Sequence, residues 1–164
     1  MKVEKYKVYR VVPFDTEVKV GDLACPSKRE IEGEWKKDIE ESLEINRPKT
    51  FPKRDKCLYV CFSKENAYEW ARIKYGKRDT PYKLLTLELT GELYWFMSDC
   101  YNLFGDVFTQ ERLDKACIDY WNSLVEDESI LAIGKGYEGL FVGDNKIIDI
   151  EYKNYVNGES IDVE

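Results

Sequence analysis

Leu58-Tyr-Val-Cys-Phe-Ser63-Lys-Glu-Asn-Ala67-Tyr-Glu-Trp70-Ala71 decides the fold, together with Tyr82-Lys-Leu-Leu-Thr-Leu-Glu-Leu89 downstream. Cys57 to Phe62 is apolar without polar alternation, the pattern of a strand inside a sheet. Ser63 stands at an N-cap position for a helix to about Tyr75, with Gly76 as its stop. Tyr82 to Leu89 reads as a strand, Thr90-Gly91 as a turn, and Glu92 to Met97 as another strand.

Upstream, Tyr6 to Val12 is rich in strand formers and stops at Pro13, with Arg10 near its end. Val18 to Leu23 reads as a short extended piece broken at Gly21-Asp22. Ser27 and Glu30 have capping-box spacing, and Ile31, Trp35, Ile39 and Leu43 follow at helical intervals. That helix should end before Pro48, and Lys49 to Lys56 should be a basic loop.

Downstream, Asn102 to Phe108 is irregular. Thr109 then caps a helix with Leu113, Ala116, Cys117, Tyr120 and Leu124 on one face. Gly134 and Gly136 open a joint, and Gly139 to Gly143 with Lys146 to Tyr152 reads as a closing hairpin turned at Asp144-Asn145. The expectation is one α+β domain over residues 1–156, with an acidic tail, 157–164, that frays. No glycine-rich phosphate loop follows a strand.

The chain has 164 residues, 43% apolar and 14% aromatic, which suits a single sizeable core rather than a disordered chain. Its net charge of -7 disfavours a general binder of nucleic acid or anionic membrane. With no histidine, acid–base work must fall to a carboxylate before Lys, Tyr or Cys, and His-ligated metals are excluded. Five cysteines without tight spacing argue against a disulfide framework and against a structural metal. Cys57 and Cys61 read as small buried apolar residues. No signal peptide opens the chain and no run is long enough to span a membrane, so the default expectation is the cytoplasm.

Tyr9-Arg10, Phe62-Ser63-Lys-Glu-Asn-Ala67 and Tyr82 to Tyr94 together resemble the ADP-ribosyltransferase superfamily with an arginine-serine-glutamate layout. Tyr9-Arg10-Val11, Val20-Gly21-Asp22, Pro52-Lys53-Arg54 and Ala116-Cys-Ile-Asp-Tyr120-Trp121 are similar to elements of a bacterial and phage family. The resemblance implies a split antiparallel or mixed sheet with flanking helices and NAD as the bound nucleotide. It also implies transfer of ADP-ribose to a host protein or nucleic acid. Carried over by position, Arg10 would bind the phosphate or ribose side and Ser63 the nicotinamide-ribose pocket. Tyr59 or Tyr94 would stack on the nicotinamide. Arg54, in the basic loop, could meet phosphates.

The catalytic acid in such a layout sits late in the chain. At the head of the last strand stand Asn145 and Lys146, so the order of choice is Glu151, then Asp149 on the same strand face, then Glu138 in Gly136-Tyr-Glu-Gly139. The missing acid at the strand head equally fits a relative without turnover, an acidic protein that binds a host defence factor. RNA 2′-phosphate transfer to NAD is disfavoured by the absence of histidine. Plainer uses stand beside each role. Ser63 suffices as a cap, Asp149 and Glu151 as the wet face of an edge strand, and Tyr120 and Trp121 as core.

Overall fold

The computed structural model describes residues 1–26, 34–75, 80–98, 109–132, 136–156 and 158–163, with backbone only at 34–36. The expected capping box at Ser27 and Glu30, the stop at Gly76, the stretch Asn102 to Phe108 and the glycine at 134 lie outside those residues. The described elements form an α+β fold. A five-stranded antiparallel sheet is made of β1 (Lys2–Pro13), β2 (Leu58–Val60), β3 (Tyr82–Met97), β4 (Tyr137–Val156) and β5 (Glu159–Asp162). Three helices flank it: α1 (Glu34–Ile45), α2 (Lys64–Tyr75) and α3 (Gln110–Asn122).

The apolar run Leu84-Leu-Thr-Leu87 explains why β3 is central. All four side chains are buried, and β3 lies between β1 and β4 with packing on both faces. Leu85, Leu87 and Leu89 point with Val8 and Val12 into one core layer, joined by Leu58, Val60, Trp95 and Ile147. On the other face Tyr82, Leu84 and Val11 receive Ala67 and Ala71 of α2. Farther along, Phe96 and Leu140 receive Ile39 and Leu43 of α1 and Leu113, Cys117, Tyr120 and Trp121 of α3. The expected core roles of Cys57, Cys61, Tyr120 and Trp121 hold, since all four are buried. Thr109 Oγ1 accepts from the Arg112 amide, the expected cap.

Three expectations need correction. Neither Thr90-Gly91 nor Asp144-Asn145 is a turn. β3 runs unbroken for 16 residues and β4 for 20, paired with each other from Tyr82↔Lys153 to Met97↔Tyr137. Gly91 and Gly143 face one another in this ladder, at φ +155° and +145°. A Cβ on Gly91 would stand 2.4 Å from the Val142 carbonyl oxygen, and one on Gly143 2.6 Å from that of Thr90. These glycines permit a close crossing of two backbones, a second reason for glycine in a strand. The tail, third, is ordered rather than frayed: β5 pairs with Lys153 to Val156, and Lys153 Nζ donates to Asp162 at 2.6 Å.

Val18 to Leu23 is not a strand, yet it is fixed to the edge of β4. The Gly21 amide donates to the Ile147 carbonyl at 2.8 Å, and the Ile147 amide to that of Asp22 at 2.9 Å. Asn145 completes the attachment by exchanging two bonds with the Ala24 backbone.

Candidate functional site

β2 is only three residues long, but it lies between the two long parts of the sheet. One edge pairs with β4, Tyr59 opposite Leu140 and Val60 opposite Gly139. Just past its end, Cys61 exchanges two backbone bonds with Tyr9 of β1, at 2.9 and 2.7 Å. The strand thus joins the two ends of the strand order. An antiparallel continuation would next pair residue 11 with residue 59. Instead the Arg10 guanidinium donates to the Tyr59 carbonyl at 2.8 Å, in place of a ladder amide. Arg10 is therefore buried at the point where β1 and β2 part.

Glu138 reaches β2 from β4, on the face of the sheet opposite to Arg10. It precedes Gly139, the partner of Val60, and alternation puts it on the face shared by Tyr59 and Leu140. Its carboxylate accepts from Arg54 Nη1 at 2.5 Å and from the Tyr120 hydroxyl at 2.5 Å. Arg54 also donates to the Tyr120 oxygen and reaches both oxygens of Glu40 on α1, at 3.0 and 3.1 Å. Its guanidinium lies 5.2 Å from the Tyr59 ring centre and 5.0 Å from that of Tyr120. Tyr59 Oη donates to the Arg54 carbonyl at 3.2 Å.

This is a buried polar cluster built from α1, β2, α3, β4 and the 3-10 turn Arg54–Lys56. Burial works against the charge of Arg54, but Glu138 and the groups around it overcome that and hold the guanidinium ionised. Burial likewise pushes the Tyr120 phenol well above its ordinary range, so it stays a neutral donor to Glu138. The expectation of a solvated basic loop fails at Arg54, whose side chain is 4% exposed. Carboxylates and rings surround its guanidinium, in the place where a phosphate was expected.

Ser63 follows the bridge at Cys61 and caps α2, its hydroxyl accepting from the Asn66 amide nitrogen at 3.0 Å. Asn66 itself is 1% exposed, and neither its side-chain oxygen nor its nitrogen has a hydrogen-bond partner among the described residues. Trp70, one turn on, donates from its indole to the Tyr137 carbonyl at 3.4 Å. Asn66 therefore stands on the helix face turned to the start of β4.

The preferred acid of the sequence reading lies differently. Register sets Arg10 opposite Leu85 and Ile150, and sets Glu151 opposite Leu84 and Val11, so Arg10 and Glu151 leave opposite faces of the sheet. Glu151 is flanked by Lys64 at 2.8 Å and Lys153 at 3.4 Å. Asp149 is exposed. Tyr94 packs edge-on against Phe51, with ring centres 5.7 Å apart. Arg10, Tyr59, Arg54 and Glu138 thus gather around β2, Ser63 stands at the following helix start, and Glu151 joins that start only through Lys64.

Against known proteins, the family described as "Protein of unknown function (DUF2441)" matches residues 19–154. The chain belongs to that family. No curated protein matches it. The DUF2441 match takes in Arg54, Tyr59, Ser63, Asn66, Glu138 and Glu151, while Arg10 lies ahead of its first residue.

Sequence reasoning missed Glu40 and Asn66. Glu40 had no signal of its own, because it looks like one more charge on an amphipathic helix. A signal for the cluster existed in Tyr120, a phenol on an otherwise apolar helix face that needs a buried partner. Asn66 was quoted only as part of a motif. An asparagine one position before the buried Ala67 is the sole hint that its amide would be enclosed.

Proposed function

We propose that this chain is an ADP-ribosyltransferase-like protein that binds NAD at the β1–β2–α2 junction and transfers ADP-ribose to a macromolecule. The observation that supports it is that β2 and the turn after it draw three such groups from distant parts of the chain: Arg10 donates to the Tyr59 carbonyl, Ser63 caps the helix that follows, and Glu138 borders the Tyr59 side of β2 from β4, across the sheet from Arg10. A guanidinium, a helix N-terminus and a carboxylate form a set suited to a diphosphate and to a cationic sugar carbon.

Glu138 replaces Glu151 as the favoured acid. It lies in a buried setting, where a charge acts more strongly than at the surface, and Tyr120 and Arg54 fix its orientation. Glu151 is partly exposed and compensated by two lysines. NAD would supply the ADP-ribose and a nicotinamide leaving group. Arg10 would hold phosphate, the first turn of α2 would face the ribose side, and Glu138 would stabilise positive charge at the sugar carbon.

The test is thermal and chemical. NAD at about 100 times its dissociation constant should add roughly 2.7 kcal/mol of stability, a rise of about 5–10 °C in Tm for a chain of this size. Arg10→Ala should remove that rise. Wild type with NAD and bacterial lysate should release nicotinamide, and Glu138→Gln should retain the Tm rise without release. No rise at millimolar NAD rejects the proposal.

A second reading is favoured by one observation: Glu138 and Glu151 are both already ion-paired within the chain. On that reading the same fold serves as an acidic binding protein, its net charge of -7 suited to a basic surface on a host defence factor. It predicts capture of one dominant partner, unchanged by Arg10→Ala or Glu151→Gln, and no nicotinamide release.

A further inference from the structure

We propose that Asn66 reads the carboxamide of the nicotinamide ring, an inference that rests on the NAD-binding function above. Its side chain is enclosed at 1% exposure with its oxygen and nitrogen both unpartnered among the described residues, whereas buried amides are nearly always hydrogen-bonded. Such an orphan is costly unless something else uses it. It occupies the first turn of α2, a 12-residue helix whose cap is Ser63. Trp70 fixes the same helix face against Tyr137, and Glu138 is the next residue.

The chemistry of the side chain narrows the ligand. A primary amide presents an acceptor and a donor pair in one plane. Its best match is another planar group with the same two functions side by side, which forms two N–H···O bonds at once. The nicotinamide carboxamide is such a group; a carboxylate in its place offers no donor to the Asn66 oxygen. A site with a buried amide should therefore discriminate strongly against the acid analogue, because one Asn66 atom would stay unpaired beside a charge. Ser63 and the α2 N-terminus would then border the adjoining ribose, and Glu138 the bond to be broken. Because the amide is covered in this structure, binding must part the seam between α2 and the start of β4.

The experiment compares NAD with nicotinic acid adenine dinucleotide by calorimetry and Tm shift. Wild type should prefer NAD at least tenfold. Asn66→Leu, close in size and without polar atoms, should fold with an unchanged or raised Tm, bind NAD about tenfold more weakly and lose the preference. Asn66→Ala supplies the same comparison if the leucine does not fit. Equal binding of the two dinucleotides by wild type, or a preference that survives both substitutions, overturns the inference and leaves NAD binding standing. Wild type that binds neither dinucleotide overturns both.

Discussion

At the scale of single residues, Arg54 is the side chain with most at stake. It has two carboxylates, a phenol and two ring faces around it, and little of it meets solvent. Burying ions is costly, and the arrangement is tolerable only because the partners are complete. Removing the cation alone would leave Glu138 as a buried, uncompensated charge. Arg54→Met should therefore destabilise by about 3–5 kcal/mol. Arg54→Lys should recover little, since an ammonium cannot span Glu40 and Glu138 with a fork. Adding Glu138→Gln to Arg54→Met should restore part of the loss. Urea midpoints across this double-mutant cycle measure the coupling, and an additive result would show the pair to be energetically idle.

At the scale of elements, sequence and structure agree where local rules are enough. α2 begins after Ser63 because its hydroxyl takes the Asn66 amide, and α3 begins after Thr109 for the same reason. They part where a residue has two physical uses. Gly91 reads locally as half of a turn, yet with Gly143 it allows two strands to touch backbone to backbone. Nothing local separates those uses, because the difference lies in a partner strand some fifty positions away. The same applies to the acid. Alternation along Ile147 to Tyr152 was legible, but the choice between Glu151 and Glu138 depends on which strand lies alongside β2. Gly91→Ala should cost about 2 kcal/mol or more, from strain at its φ and a clash with the Val142 carbonyl. Gly21→Ala keeps only the φ penalty, with nothing within 4 Å of its Cβ, and should cost about 1 kcal/mol. Equal losses in the two variants would remove the close-crossing explanation.

At the scale of the whole molecule, buried groups that hold their protons set a shared pH response. Burial pushes the Cys61 thiol from 9.0 to about 12 and that of Cys57 to about 11. Tyr75, stacked on Tyr82, is pushed from 10.0 to about 12, again by burial. Lys153 moves the same way for another reason: burial works against its charge, but the bond to Asp162 and the nearby Glu151 raise its pKa. In all four cases the folded chain keeps a proton that the unfolded chain gives up on the alkaline side. Unfolded protein therefore binds fewer protons above about pH 9, and stability must fall as pH rises. The loss should begin near the unfolded thiol value and continue toward pH 12, with Cys61 alone worth about 1.4 kcal/mol per pH unit across its window. Cys57 and Tyr75 add smaller amounts, since their pKa values are raised less, and Lys153 acts only above its own unfolded value of 10.5. The urea midpoint should accordingly drop between pH 8 and pH 10.5, and Cys61→Ala should make that drop shallower even though it leaves a small cavity. A midpoint that stays level over this range would mean that these groups ionise in place, and that the layers around Cys57 and Cys61 admit water.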